Sequence, residues 1–189
     1  MAISETDIAN AALIEIGAPM ITNLTEDSEP ARLINARFEG LLDEELEKAD
    51  WTFATARVQL AALSEAPAFG WTYQHQLPSS PYCLRVIEEI NDYEYLIEGR
   101  LILSDDTPLQ IRYIKRITDM NELSGLFRSV LIYRLAEFLA IPLRGSGELR
   151  DRMQREYLIA FTRATSKDSQ QSNYNPIEQG SWLDAKDYE

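Results

Sequence analysis

Apolar residues recur at helical spacing in four stretches of the chain, and between the second and third the period changes to that of β-strands. In the first stretch Ile8, Ala12, Leu13 and Ile16 share a face, Ser4 and Asp7 form a capping box with Asp in place of Glu, and Gly17 and Pro19 end the run. This predicts a helix from about Glu5 to Ile16. Ile21 to Asp27 connects it to a second run, capped by Ser28 with Glu29 and Pro30 in the first turn. Its inward positions are Ala31, Ile34, Phe38, Leu41, Leu42, Leu46 and Ala49. The outer face reads as acidic at Asp43, Glu44, Glu45, Glu47 and Asp50, offset by Lys48. Carboxylates near a helix C-terminus oppose the macrodipole at a few tenths of a kcal/mol each, a mild cost that hints at a use for that face against the ordinary reading of a solvated helix surface.

The helical pattern stops at Asp50-Trp51-Thr52-Phe53-Ala54. Two large aromatics at such a junction read as a wedge locking helices to a sheet, and Trp51 and Phe53 are the expected structural junction. Prolines 67, 78 and 81 and Gly70 then exclude a long helix. Strands are expected at Arg57 to Leu63, Trp71 to Leu77 and Cys83 to Ile90, where Leu84, Val86 and Glu88 alternate against Arg85 and Ile87. A hairpin turns at Glu98-Gly99-Arg100, and Leu109 to Ile117 forms a half-buried strand with Leu109, Ile111 and Tyr113 inward. Residues 57 to 117 would then form one small, mostly antiparallel sheet. The third helix is capped by Asn121, carries Leu123, Leu126, Phe127, Val130, Leu131, Leu135, Phe138 and Leu139, and ends at Pro142. The fourth runs from Glu148 to about Thr165, with Leu149, Met153, Tyr157, Ala160, Phe161 and Ala164 inward and Arg150, Arg152, Arg155 and Arg163 outward. From Ser166 to Glu189 no period survives, and Tyr174, Ile177, Trp182, Leu183 and Tyr188 are spaced like anchors along an extended arm.

The predicted class is α+β: an antiparallel bundle of four main helices (1–56 and 118–165), an inserted sheet region (57–117) and a C-terminal arm (166–189). Composition adds a charge pattern. The net charge is −13, which argues against a general nucleic-acid binder. Residues 111 to 167 nevertheless carry eleven Lys and Arg against six Asp and Glu, whereas the rest of the chain carries seven against twenty-five. Oppositely charged faces follow, suited to head-to-tail contact between copies or to an acidic wall beside passing DNA.

Candidate chemistry is thin. A single cysteine, Cys83, allows no disulfide framework or metal spacing, and with no leader or membrane-length apolar run the expectation is a protein made in the cytoplasm. The sole histidine, His75, has no triad around it and reads as a surface or half-buried structural residue. No phosphate loop, cofactor site or metal site is expected. Glu88, Glu89 and Glu98 could supply a carboxylate pair for glycoside hydrolysis, a pattern of little specificity among 31 acidic residues.

Taken in order, several short motifs resemble the tail tubular protein A family, the head-to-tail adaptors of short-tailed bacteriophages. They are Ala12-Leu13-Ile14-Glu15-Ile16-Gly17-Ala18 with Ile21 and Leu24; Trp51-Thr52-Phe53-Ala54 with Arg57 and Leu60; Tyr73, Leu77-Pro78 and Cys83-Leu84-Arg85; Glu98-Gly99 with Leu103-Ser104-Asp105; Ile111 with Tyr113-Ile114; and Leu135-Ala136 with Leu139-Ala140. The resemblance covers Met1 to about Thr165 and rests on order and spacing. It implies a non-enzymatic virion protein assembled in the host cytoplasm. It also implies a ring of about twelve copies between portal and tail nozzle, through which double-stranded DNA passes without specific binding. The arm residues Tyr174, Ile177, Trp182, Leu183 and Tyr188, with Arg150, Arg152 and Arg155, are the candidate contacts to a neighbour or the portal. The alternative is a tail-associated glycoside hydrolase acting on host polysaccharide.

Overall fold

The computed structural model describes residues 2–172. They form an α+β fold of four α-helices and two small antiparallel sheets, with element order α1 (Glu5–Glu15), α2 (Glu29–Glu47), β1 (Thr55–Leu60), β2 (Tyr73–Gln76), β3 (Cys83–Glu89), β4 (Tyr95–Glu98), β5 (Leu101–Ser104), β6 (Leu109–Lys115), α3 (Gly125–Arg144) and α4 (Gly147–Ser172). The capping box forms as read: Ser4 Oγ accepts from Asp7 N at 3.2 Å, and Ser4 N donates to the Asp7 carboxylate at 2.9 Å. Ser28 caps α2 through Ala31 N at 3.3 Å.

Two sheets replace the single one expected. The first has strand order β1-β6-β3 and the second β2-β5-β4. Alternation shows that a strand has an inner face but not which strand pairs with it, and β1 pairs across the whole insertion with β6, Thr55 opposite Ile114 and Leu60 opposite Leu109. The first sheet is the middle layer. Ile114, Leu84 and Ile87 pack into the helical core, whereas Cys83, Leu109, Ile111 and Tyr113 face Ile102 of the second sheet. Register shifts between Cys83 and Arg85 and between Val86 and Glu88 break the alternation expected along β3. Leu84 and Ile87 therefore share the helical side, and Glu89 is buried where Glu88 was expected inward.

Three helix boundaries differ from expectation. Ser124, not Asn121, caps α3, accepting from Phe127 N at 3.2 Å. Asn121 instead accepts from Ile3 N at 2.9 Å and ties down the start of the chain. Pro142 lies inside α3. In the last turn a proline forfeits one bond, to the carbonyl of Phe138, an exposed residue, so the helix runs on to Gly145. Gly145, at φ +61°, ends it by donating to Ile141 O at 2.8 Å. Finally, α4 passes Thr165 and continues to Ser172, so the first seven residues assigned to an extended arm are helical. Asp168 holds that extension, accepting from Thr52 N at 2.9 Å and Thr52 Oγ1 at 2.7 Å.

Trp51 is buried among helices. Its ring lies 4.9 Å from Phe127 of α3, 5.8 Å from Phe161 of α4 and 5.9 Å from half-buried Phe53, and its Nε1 donates to Glu45 O at 3.0 Å. The aromatic pair thus gathers α2, α3 and α4, and a short 3-10 turn at Thr52–Ala54 swings the chain into β1.

Candidate interaction surfaces

The carboxylates along the end of α2 are mostly consumed inside the chain. Asp43 receives a two-pronged bond from Arg116, Glu44 pairs with Arg37 at 2.7 Å, and Asp50 pairs with Arg85, whose Nε also donates to Glu47 O at 3.1 Å. The Asp50 and Asp43 pairs bind α2 to β3 and to the end of β6, whereas Glu44 and Arg37 pair within α2. Glu45, read as part of an exposed acidic face, is fully buried. Its oxygens accept from Lys48 Nζ at 2.5 Å and Tyr157 Oη at 3.0 Å, and Arg134 Nε lies 3.4 Å away. Lys48 Nζ also donates to Tyr157 Oη at 2.9 Å, and Arg134 donates to Glu137 at 2.7 Å. Burial opposes the Lys48 ammonium, but its bonds to Glu45 and Tyr157 outweigh that and raise its pKa. Burial raises that of Tyr157. The buried acid thus has two cations and a hydroxyl donor around it, the compensation that a buried polar group needs.

The candidate hydrolytic carboxylates stand in three separate settings. Glu89 accepts four N–H groups, from Asn91 N at 2.7 Å, Tyr93 N at 3.0 Å, Asn91 Nδ2 at 3.1 Å and Gln110 N at 3.2 Å. It clasps the turn after β3. Glu88 pairs with Arg112 at 3.3 Å, and Glu98 stands at the hairpin of the other sheet. His75 is fully buried, not superficial, because it points into the second sheet's inner face. Its Nε2 lies 3.3 Å from Thr107 Oγ1, and burial lowers its pKa. Cys83 is buried, its thiol pKa raised by that burial, and serves as a small apolar residue. Among the described residues no group of His, Cys, Asp and Glu could hold a metal ion, and no helix is long and apolar enough to cross a membrane.

What remains free is positive charge on α4. Its inner face, Met153, Tyr157, Ala160 and Ala164, is buried. Arg152, Arg155, Arg163 and Lys167 point outward and form no ion pair among the described residues. Arg150 differs: it is neutralised by Asp151 at 2.7 Å. Arg152 spends one bond on Glu15 O at 3.2 Å, at the end of α1. Between the cations the adjacent Leu158 and Ile159 are 55% and 46% exposed. Two concavities flank this face. One, of about 370 Å³, is lined by Ile16, Arg144, Leu149, Arg152 and Arg155; the other, of about 440 Å³, by Leu126, Thr162, Arg163, Ser166, Lys167 and Gln170.

Of the candidate contacts, then, Arg152 and Arg155 lie together on one face, Arg150 is paired with Asp151 and lines a different concavity with Arg37 and Arg134, and Tyr174, Ile177, Trp182, Leu183 and Tyr188 lie outside the described residues. Leu158 and Ile159 were not singled out from the sequence, and Leu126, read on the apolar face of the third helix, is 41% exposed. The signal was present in the first two, which fall outside the inward set of α4. Compared with known proteins, the chain matches no protein-family model and no curated protein.

Proposed function

We propose that the chain is a structural virion protein, a head-to-tail adaptor of a short-tailed bacteriophage. In this reading about twelve copies form a ring between portal and tail nozzle, and double-stranded DNA passes through without specific binding. The four helices make up the ring body as a bundle, and residues 173–189 engage a neighbour or the portal. The observation that carries the reading is the outer face of α4, where unpaired cations surround exposed Leu158 and Ile159. Such a surface is suited to a protein partner, with an apolar centre and a charged rim. The motif residues behind the family resemblance are largely core: Ala12, Leu13, Trp51, Ala54, Ile111, Leu135 and Leu139 are buried. They support the fold, and the surface supports the assembly.

Mixing the purified chain with portal and imaging the particles tests this. Rings seated on the portal are the expected result; a chain that stays monomeric and never joins the portal would end the proposal. The hydrolase alternative draws nothing from Glu89, whose carboxylate is saturated with N–H donors, and the chain is read as a non-enzyme.

A further inference from the structure

At the other side of the fold the β4–β5 hairpin presents an opposite surface. From Val86 to Gly99 the chain has no Lys or Arg. Asp92, Glu94 and Glu98 are exposed and form no ion pair among the described residues. Beside them Ile90, Tyr93, Leu96 and Ile97 are exposed, with Leu96 at 46%. The turn is rigidly shaped. Glu89 gathers the backbone N–H groups of Asn91 and Tyr93, Asp92 sits at φ 58°, and Gly99 at φ +59° makes the tight hairpin end. β4 is an edge strand, and an exposed apolar edge left uncovered invites association.

We propose that this hairpin of one copy docks on the outer face of α4 of the next copy, Leu96 and its apolar neighbours covering Leu158 and Ile159, with Asp92, Glu94 and Glu98 opposite Arg155, Arg163 and Lys167. The inference rests on the ring reading above and supplies that ring's repeated contact. Charge complementarity selects the partner: an acidic rim around apolar side chains meets a basic rim around apolar side chains. The strand fits within the helix face: from Arg152 to Lys167 the face is about 22 Å long, and β4, Tyr95–Glu98, spans about 10 Å. The two surfaces are unlike and belong to different elements, α4 packing chiefly on α3 and β4 on β5. The contact is therefore heterologous, each copy giving one face and receiving another, the arrangement from which rings are built.

The test is a charge swap read by sedimentation of the full chain with portal present. Arg155→Glu/Arg163→Glu makes both faces acidic, and Glu94→Arg/Glu98→Arg makes both basic; all four sites are exposed. Each variant alone is expected to associate about 100-fold or more weaker than wild type, since like charges at a contact cost several kcal/mol. An equimolar mixture is expected to assemble again, the two variants alternating. Circular dichroism melts like that of wild type establish that each variant is folded; if one is not, Arg155→Gln/Arg163→Gln or Glu94→Gln/Glu98→Gln replaces it and is expected to show the same direction. Assembly of either variant alone at wild-type strength, or a mixture that fails to assemble, overturns the assigned contact while leaving the ring reading intact. A wild-type chain that never assembles overturns both.

Discussion

Replacing Glu45 by Leu removes the buried acid around which Lys48, Arg134 and Tyr157 converge. Taking away one partner of a buried ion pair costs about 3–5 kcal/mol, because the remaining charge loses its compensation. Here the side chains of Lys48 and Arg134 are 36% and 29% exposed, so both can turn partly to water, and the lower end, about 3 kcal/mol, is expected. At two to four degrees per kcal/mol for a chain of this size, Tm falls by roughly 6–12 °C. The triple replacement Glu45→Leu/Lys48→Met/Tyr157→Phe removes the ammonium and the phenolic hydroxyl as well and leaves Arg134 its bond to Glu137 at 2.7 Å. It should recover most of the loss, to within about 1 kcal/mol of wild type, since apolar side chains of similar volume substitute well for a buried polar cluster. Urea unfolding followed by far-ultraviolet circular dichroism at pH 7 measures both. A single variant within about 0.5 kcal/mol of wild type would show that the carboxylate is not held in a low-dielectric site. A triple variant as unstable as the single would show that packing, not charge, sets the cost.

Trp51→Ala should cost about 3–5 kcal/mol by leaving a cavity among Phe53, Phe127 and Phe161, read by the same denaturation, and weaken portal binding only through folding; intact stability with lost portal binding would make Trp51 an exposed contact. Stability should also fall at alkaline pH. Burial raises the pKa values of Cys83, Tyr113 and Tyr157 above their ordinary 9.0 and 10.0, so above about pH 9 the native chain binds more protons than the unfolded one and the slope of stability with pH is negative. That contribution is complete below about pH 9 and is lost as pH rises through the folded values. Tyr157→Phe should flatten part of the decline, and a stability unchanged up to about pH 11 would contradict it.

Much of this fold was legible because the residues that build it act locally. The caps at Ser4 and Ser28 and the hairpin at Gly99 depend on neighbours within a few residues, and each forms where the sequence placed it. What escaped depends on partners far along the chain. Glu45 stands among Asp43, Glu44, Glu47 and Asp50 and nothing local distinguishes it; its environment comes from Arg134 and Tyr157, the latter 112 residues away. The last turns of α4, Ser166 to Ser172, have no apolar period, and a principal tertiary anchor there is Asp168 on Thr52. The β3 irregularities that turned Glu89 inward leave no mark in an alternating pattern. The candidate arginines were legible as outward-facing, but the pairing of Arg150 with Asp151 and its place beside Arg37 and Arg134, away from Arg152 and Arg155, depend on tertiary structure.

The internal use of the α2 carboxylates changes what the net charge of −13 means for assembly. Asp43, Glu44, Glu45 and Asp50 are each matched to a cation of the same chain, so the acidic surface first read on that helix is largely unavailable to a partner. The acids without ion-pair partners at the β4–β5 hairpin and the cations without them on α4 are among the exposed charges left for an approaching molecule. Because these two sets are unlike and lie on different elements, satisfying one on a neighbour leaves the other open for the next neighbour. A two-fold dimer through either surface alone would set like charges against each other. In the proposed ring, repetition with closure uses both surfaces of every copy, and the proposed contact turns on Arg155, Arg163, Glu94 and Glu98, exposed residues outside the buried motifs that carry the family resemblance.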